Sequence, residues 1–351
     1  MIPDQAQVPP DGTRAAPSPE LIELVRGRYG IIRLRALRDL GGEYNLNLLV
    51  DADRERLVVR VYHPWVPAAR VAAIQEVRER LRAGSWPIAP LRVTARGERL
   101  VMQEDRVVEV EGFVRATTCM NTWPRFRVGF RLLGELHRAL GSMEVPPGAE
   151  RPPWANHLAV DEIRQVAGPA IATIRGAGVT PEQSRSLEAA ERLVEALVDA
   201  HREDGAELPV QLVHGDFWHN NVLFHRERVV LIGDFDFIGV RPRIDDLALA
   251  LFFLNDSRGR DDLSSRRLRR LVEMVDLYDQ AADPPLSADE RHLLPFAIAR
   301  SPLTFLRDLA WQAESKFAEL AAAELTGLRG PEWEWALRML ATQPWREAFL
   351  P

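Results

Sequence analysis

The chain is nearly devoid of cysteine and of lysine. One cysteine, Cys119, rules out an internal disulfide and any multi-cysteine metal site. Of the 45 basic residues only Lys316 is a lysine, so arginine carries almost all the positive charge. Lys316 sits in Ala-Glu-Ser-Lys-Phe-Ala-Glu-Leu, a helix-like run with no glycine nearby upstream. That excludes a Walker-type phosphate loop and argues against Schiff-base chemistry. The patterns Gly-x-Gly-x-x-Gly, Gly-x-Ser-x-Gly and His-Glu-x-x-His are absent too. No run of about 18 uncharged apolar residues occurs, which excludes a membrane-spanning helix. The opening residues lack the basic-then-apolar order of a signal peptide. With 45 basic against 51 acidic residues and a net charge of −6, the chain offers no cationic field for a nucleic acid. A cytoplasmic protein with neither nucleic-acid nor membrane partners is expected.

What is present is an ordinary globular composition, 46% apolar and 27% charged over 351 residues. Single cores stop growing near roughly 250–300 residues, so the length predicts two lobes. Residues 1–17, rich in Pro, Gly and Ala, are expected to lack fixed structure. Ser18-Pro19-Glu20 reads as a helix start. Ile31–Arg35, Asn47–Asp51 and Leu57–Tyr62 read as strands, and Pro67–Ala83 as a helix with Val71, Ile74, Val77 and Leu81 on one stripe. Leu91–Thr94 and Arg99–Gln103 suggest a hairpin around Arg96-Gly97. Residues 18–105 are thus expected to form a nucleotide-binding lobe, a small antiparallel sheet with one helix. Residues 106–351 are expected to form a larger, mostly helical lobe holding the catalytic loop, metal site and acceptor pocket. The fold class is α+β.

The chemistry concentrates in residues 211–250. Two short apolar runs, Val222–Phe224 and Val229–Ile232, flank the turn His225–Arg228 and predict a hairpin. Asp216 and Asn221 lie just before it, five residues apart; Asp234 and Asp236 lie just after. A hairpin returns both ends to one edge, so a carboxylate, an amide oxygen and a second carboxylate are expected to converge. Hard oxygen donors of this kind suit Mg²⁺ completed by waters and substrate phosphates. A further carboxylate beside them can orient or deprotonate a hydroxyl, which is the part list for phosphoryl transfer.

These stretches resemble the aminoglycoside phosphotransferase family, which includes choline and homoserine kinases. His214-Gly215-Asp216 with Asn221 matches the His-Gly-Asp-x-x-x-x-Asn motif, Asp234-Phe235-Asp236 the metal motif, and Asp246-Leu247-Ala248 the following helix start. Gly134–His137 resembles the helix before the catalytic loop; Gly42–Asn45 resembles the nucleotide loop and Val58–Val61 the third strand. The resemblance implies a protein-kinase-like two-lobe fold. It implies Asp216 as catalytic base and Asn221 and Asp234 as Mg²⁺ ligands. Gly42, Asn45 and Arg60 would touch the nucleotide, and Glu76 would pair with Arg60; Glu79, one turn on, is the alternative partner. Adenine would meet backbone near Gln103–Val107. With no lysine available, Arg60 would grip phosphates as a planar fork. Trp218, His219 and Asp236 are candidate acceptor contacts. His214 and Asp246 are read as structural ties of the loop.

The implied reaction moves the γ-phosphate of ATP or GTP to a hydroxyl of a small molecule. An antibiotic or related natural product is the first choice. A metabolic acceptor, a sugar, amino alcohol or homoserine-type amino acid, is the second. A protein kinase is disfavoured because only 12 positions separate Asp234 from Asp246, too few for an activation segment. A pseudokinase is disfavoured because the three metal-site residue types are all present. ATP and GTP stand equal, since backbone atoms would read the base, and the sequence carries no sign of oligomeric state.

Overall fold

The computed structural model describes residues 14–42, 44–152, 156–204, 207–256, 263–314 and 318–350. Residues 1–13 and Lys316 lie outside the described residues. In chain order the helices and strands are α1 (Pro19–Tyr29), β1 (Leu34–Asp39), β2 (Leu46–Ala52), β3 (Glu55–Val61), α2 (Ala68–Ala83), β4 (Val101–Gln103), β5 (Arg106–Gly112), β6 (Thr118–Cys119), α3 (Trp123–Gly141), α4 (Ile163–Gly176), α5 (Pro181–Asp204), β7 (Val210–Val213), β8 (Val222–His225), β9 (Arg228–Ile232), β10 (Gly239–Pro242), α6 (Arg243–Asp256), α7 (Ser265–Asp279), α8 (Ala288–Arg300), α9 (Phe305–Ala313), α10 (Ala318–Glu324), α11 (Gly330–Ala341) and α12 (Gln343–Arg346). The chain has a small antiparallel sheet part and a larger helical part, the α+β class expected.

Two compact units form, and both are discontinuous in sequence. The first comprises residues 1–119, 144–154 and 220–238; the second takes 120–143, 155–219 and 239–351. A single boundary near residue 105 is therefore corrected. The β8–β9 hairpin and Asp234 belong with the small sheet, because the Ile232 amide donates to the Pro87 carbonyl at 2.8 Å and β6 pairs with β8.

In the first unit the sheet order is β1-β2-β3-β5-β4, every pair antiparallel. Alternation places Leu46, Leu48, Val50, Leu57, Val59, Val61, Val108 and Val110 in one core. Helix α1 closes that core with Leu21, Val25 and Tyr29, the i, i+4, i+8 stripe of one helical face. Ser18 caps α1 by accepting from the Leu21 amide, and Gly30 ends it in the left-handed region at φ 65. Strand β5 replaces the expected hairpin partner: β4 turns to β5 through Glu104, at φ 54, while Leu91 makes only an isolated bridge to Glu111. Gln103–Val107, expected to face adenine, is thus a turn between sheet neighbours. Arg14 also departs from expectation. Its guanidinium holds Asp39 through two bonds of 2.6 Å, which ties down the end of the segment read as unstructured.

In the second unit, α3 packs on α7, α5 on α11, α6 on α8 and α4 on α9, and β7 pairs with β10. The α3–α7 crossing needs Gly134, where a Cβ would sit 2.3 Å from the Tyr278 carbonyl oxygen. Trp333, Trp335 and Trp345 fill the core between the last helices, each at most 1% exposed. Among the described residues no helix is long and apolar enough to cross a membrane.

Candidate active site

In the first unit, the hairpin opens where the Gly233 amide donates to the Asn221 carbonyl at 2.9 Å, so Asn221 and Asp234 leave it at the same end. Asp234 then adopts the left-handed conformation, φ 61 and ψ 65. Aspartate tolerates this backbone better than most residues, at a cost of about 1 kcal/mol. The 3-10 turn Phe235–Phe237 follows directly.

Arg60 on β3 meets both acids with one nitrogen. Its Nη2 donates to Asp234 Oδ1 at 2.7 Å and to Asp236 Oδ2 at 3.0 Å. Asn45 donates to that same Asp236 oxygen at 2.5 Å, and its own Oδ1 accepts from the His63 amide at 2.8 Å. Gly42, just before, sits at φ 123, where a Cβ would lie 2.8 Å from Asn47 Nδ2 and 2.9 Å from the Asn45 carbonyl oxygen. A glycine-only backbone therefore shapes the loop that presents Asn45. Burial pushes the Asp236 carboxyl up to about 7, against the opposing charge of Arg60 and with the help of Asp234. One oxygen of that side chain, Oδ1, is buried without a partner. The crevice beside these groups, lined also by Ile74, Arg78 and Gly233, has a volume of about 20 Å³.

These side chains fit a hard divalent cation. Asp234 and Asp236 offer oxygen donors side by side on Arg60, Asp236 has an oxygen to spare, and Asn221 leaves the hairpin at the same end. Among the described residues no three or more His, Cys, Asp or Glu side chains form a ready metal cage. Few protein ligands are what an ion such as Mg²⁺ requires, since it keeps waters and substrate oxygens.

Glu76 does not partner Arg60. It pairs with Arg80 one turn along the exposed side of α2, and Glu79 pairs with Arg82. The ion pair joining α2 to the sheet has the opposite polarity. Arg78 of α2 donates to Glu109 of β5 at 2.7 Å and also pairs with Glu111. Gln75 and the Tyr62 hydroxyl donate to the same Glu109 carboxylate, at 2.8 and 3.0 Å. Glu109 is fully buried, and burial alone would raise its carboxyl; Arg78 and Arg60 bring it below the usual range. Arg70 was also beyond the reach of sequence reading. Its guanidinium donates to the carbonyls of Asp236, at 3.0 Å, and Ile238, and so fixes the backbone that follows Asp234. Arg70 and Arg78, falling among the apolar positions Val71, Ile74 and Val77 of α2, are the available signal.

The loop carrying Asp216 lies in the second unit. Asp216 is 7% exposed, and its Oδ1 accepts from Asn156 Nδ2 at 2.6 Å. Its amide donates to His214 Nδ1 at 3.2 Å. Asp246, inside the first turn of α6, accepts from the Phe217 amide at 3.4 Å and lies 3.1 Å from His137 Nε2. Tyr278 completes that buried chain, 2.8 Å from His137 Nδ1. The loop carrying Asp216 is thereby tied to three helices. Trp218 stacks on Phe253 with centroids 4.6 Å apart and touches the His219 ring edgewise at 4.7 Å. Asn156 had no sequence motif to announce it.

A sequence model of the phosphotransferase enzyme family matches residues 36–284. No curated protein matches the chain. Among solved structures, a microcompartment-associated aminopropanol kinase is similar with a TM-score of 0.70 at 16% identity, over 95% of this chain and 99% of that one. An amicoumacin kinase in complex with AMP-PNP and Ca²⁺ gives 0.65 at 13%, over 89% and 92%. Choline kinase from Cryptosporidium parvum Iowa II gives 0.60 at 13%, over 92% and 96%. At these identities the likeness establishes a shared fold, that of small-molecule kinases.

Proposed function

The chain belongs to the phosphotransferase enzyme family, and from that premise we propose that it transfers the γ-phosphate of ATP or GTP to a hydroxyl of a small molecule. The observation that carries the reading is the bond of Arg60 to both Asp234 and Asp236. A cation held between two carboxylates is the charge pattern that a metal–triphosphate unit exchanges with: the acids turn to the metal and the guanidinium to the phosphates. Asn221 and Asp234 would hold Mg²⁺, which when bound neutralises charge on the phosphate oxygens. Arg60 binds the phosphates, and Asn45 with Gly42 shapes the loop over them. Asp216 orients the acceptor hydroxyl and takes its proton.

For the acceptor, an antibiotic or related natural product is the first reading, supported by the likeness to the amicoumacin kinase. A metabolic amino alcohol is the second, supported by the TM-score of 0.70 to the aminopropanol kinase. A cytoplasmic location fits a nucleotide-dependent enzyme of this kind. The test is a screen of hydroxylated natural products, sugars, nucleosides and amino alcohols with labelled ATP and Mg²⁺. Label should pass to a small acceptor with the native chain and not with Asp216→Ala, while nucleotide affinity stays within about threefold. Label appearing only on proteins, or equal turnover by Asp216→Ala, would reject the assignment.

A further inference from the structure

A mostly apolar cavity lies wholly in the second unit and has a volume of about 510 Å³. Its walls come from α4, α5, α8 and the start of α6, with Ile163, Leu197, Leu208, Ile244 and Phe296 among the lining side chains. That volume falls within the range of pockets that enclose a drug-sized molecule, roughly 300–1,000 Å³. Charged lining residues divide into two groups. Asp161, His201 and Glu207 are exposed. Asp245 and Arg300 are buried, 5% and 7% exposed, and pair with each other.

A short chain of contacts links this buried pair to the catalytic carboxylate. Asn156 donates to Asp216 at 2.6 Å. The next residue, His157, places its Nε2 2.8 Å from the second oxygen of Asp245. Asp245 and Arg300 line the cavity. Two consecutive residues thus reach from the group that would act on a hydroxyl to the polar end of an apolar chamber.

The charges in the chamber are selective. Arg300 pairs with one oxygen of Asp245, and His157 Nε2 lies 2.8 Å from the other. Burial would raise the Asp245 carboxyl, but Arg300 and His157 outweigh it and bring it to about 2. No buried negative charge is left for a cationic ligand, and a polyamine entering here would give up its hydration without compensation. A donor does remain. Arg300 Nε is buried and has no hydrogen-bond partner. Arg300 also lines the cavity, so its guanidinium is the buried cation that a ligand oxygen would meet.

We propose that this cavity is the acceptor pocket, and that it takes a molecule with an apolar body carrying an anionic or carbonyl oxygen for Arg300 rather than a polycation. The inference rests on the phosphotransfer reading and adds the acceptor's chemistry to it. The polar end of such a ligand lies toward Asn156 and His157, which makes them positioning residues for the acceptor.

The test uses the full chain and anilinonaphthalene sulfonate, an aromatic body with a single anionic group whose fluorescence rises on apolar burial. Saturable one-site binding is expected. It should weaken at least tenfold in Ala200→Trp, which fills the cavity from a half-buried wall position, and in Arg300→Gln. Kanamycin, a polycation, should not compete. Arg300→Gln leaves Asp245 short of a partner and can unfold the chain, so Ala200→Trp with an unchanged unfolding midpoint is the deciding variant. Absent or unsaturable binding, binding indifferent to Ala200→Trp, or displacement by kanamycin overturns the inference. Magnesium-dependent nucleotide binding is measured alongside. If it is intact while the dye result fails, only the pocket inference falls. If the dye binds as expected but nucleotide does not, the phosphotransfer reading falls and takes the acceptor role with it.

Discussion

Asp246→Asn is the substitution that most directly probes how the loop carrying Asp216 is held. The side chain is 1% exposed and accepts from the Phe217 amide and from His137. Burial would raise its carboxyl, but the hydrogen bond and charge of His137, with His214 and the Gly215 amide, bring it down to about 2. Against an ordinary carboxylate near 3.8, that is worth about 2 kcal/mol of folding stability. The folded value is the lower one, so the contribution is complete above about pH 4 and is lost as pH falls toward 2. An asparagine keeps one acceptor oxygen but turns an N–H toward the second donor, which costs about 1–3 kcal/mol for the group left unsatisfied. A loss of about 2–4 kcal/mol is expected in urea unfolding at neutral pH. About half of the ionic part should have disappeared at pH 3. Because Phe217 follows Asp216 directly, kcat should fall at least tenfold, while nucleotide affinity stays within about twofold. A destabilisation that is constant with pH, or a kcat equal to wild type in the folded variant, would refute the reasoning.

Asp216→Asn should lower kcat about 10³-fold, the range for removing a general base, with nucleotide binding preserved in a calorimetric titration; a loss under tenfold sinks the role. Arg60 touches Asp234 and Asp236 through one nitrogen, which a lysine ammonium can imitate, so Arg60→Lys should weaken nucleotide affinity by about threefold to tenfold and Arg60→Met by at least about 100-fold. Equal affinities for the two variants would count against a phosphate-binding Arg60. Glu76→Gln should change unfolding free energy by less than about 0.5 kcal/mol, because its pair with Arg80 is exposed. Glu109→Gln should cost about 3–5 kcal/mol, because it leaves Arg78 buried and short of a partner. The reverse order in chemical denaturation would contradict the observed pairing.

The strands and helices that follow a clean period were legible. Strands β2 and β3 are short apolar runs joined by a polar turn, α2 and α3 carry apolar stripes, and the β8–β9 hairpin is bounded by turn residues. Strand β5 was not legible, because Arg106–Gly112 lacks a clean alternation: Val107, Val108, Glu109 and Val110 are all buried, the glutamate completely. A buried glutamate reads as solvent-facing until the arginine that neutralises it is known, and Arg78 lies 31 residues away. The unit boundaries failed for a related reason. Local patterning shows that a hairpin forms, but a long-range ladder and the Ile232–Pro87 hydrogen bond decide which core it joins.

The motif residues were legible because chemistry restricts their types and spacing; the residues that hold them were not. Asn156, Arg70 and Glu109 act through hydrogen bonds across long sequence distances, which no period encodes. The case of Glu76 shows how composition reshapes such support. With arginine supplying nearly all positive charge, the buried face of α2 carries Arg70 and Arg78, both nearly inaccessible. Two buried guanidinium groups require acceptors opposite them, so the acid moves to β5 and carbonyls after Asp234 receive the other cation. In protein kinases the phosphate-binding cation is held by an acid on the neighbouring helix, and shifting that helix disarms the site. Here Arg60 is anchored by Asp234 and Asp236, while α2 is tied through Arg78 to β5. Movement of α2 therefore reaches Arg60 by another route, through Arg70, which holds the Asp236 and Ile238 carbonyls and with them the segment that carries both aspartates.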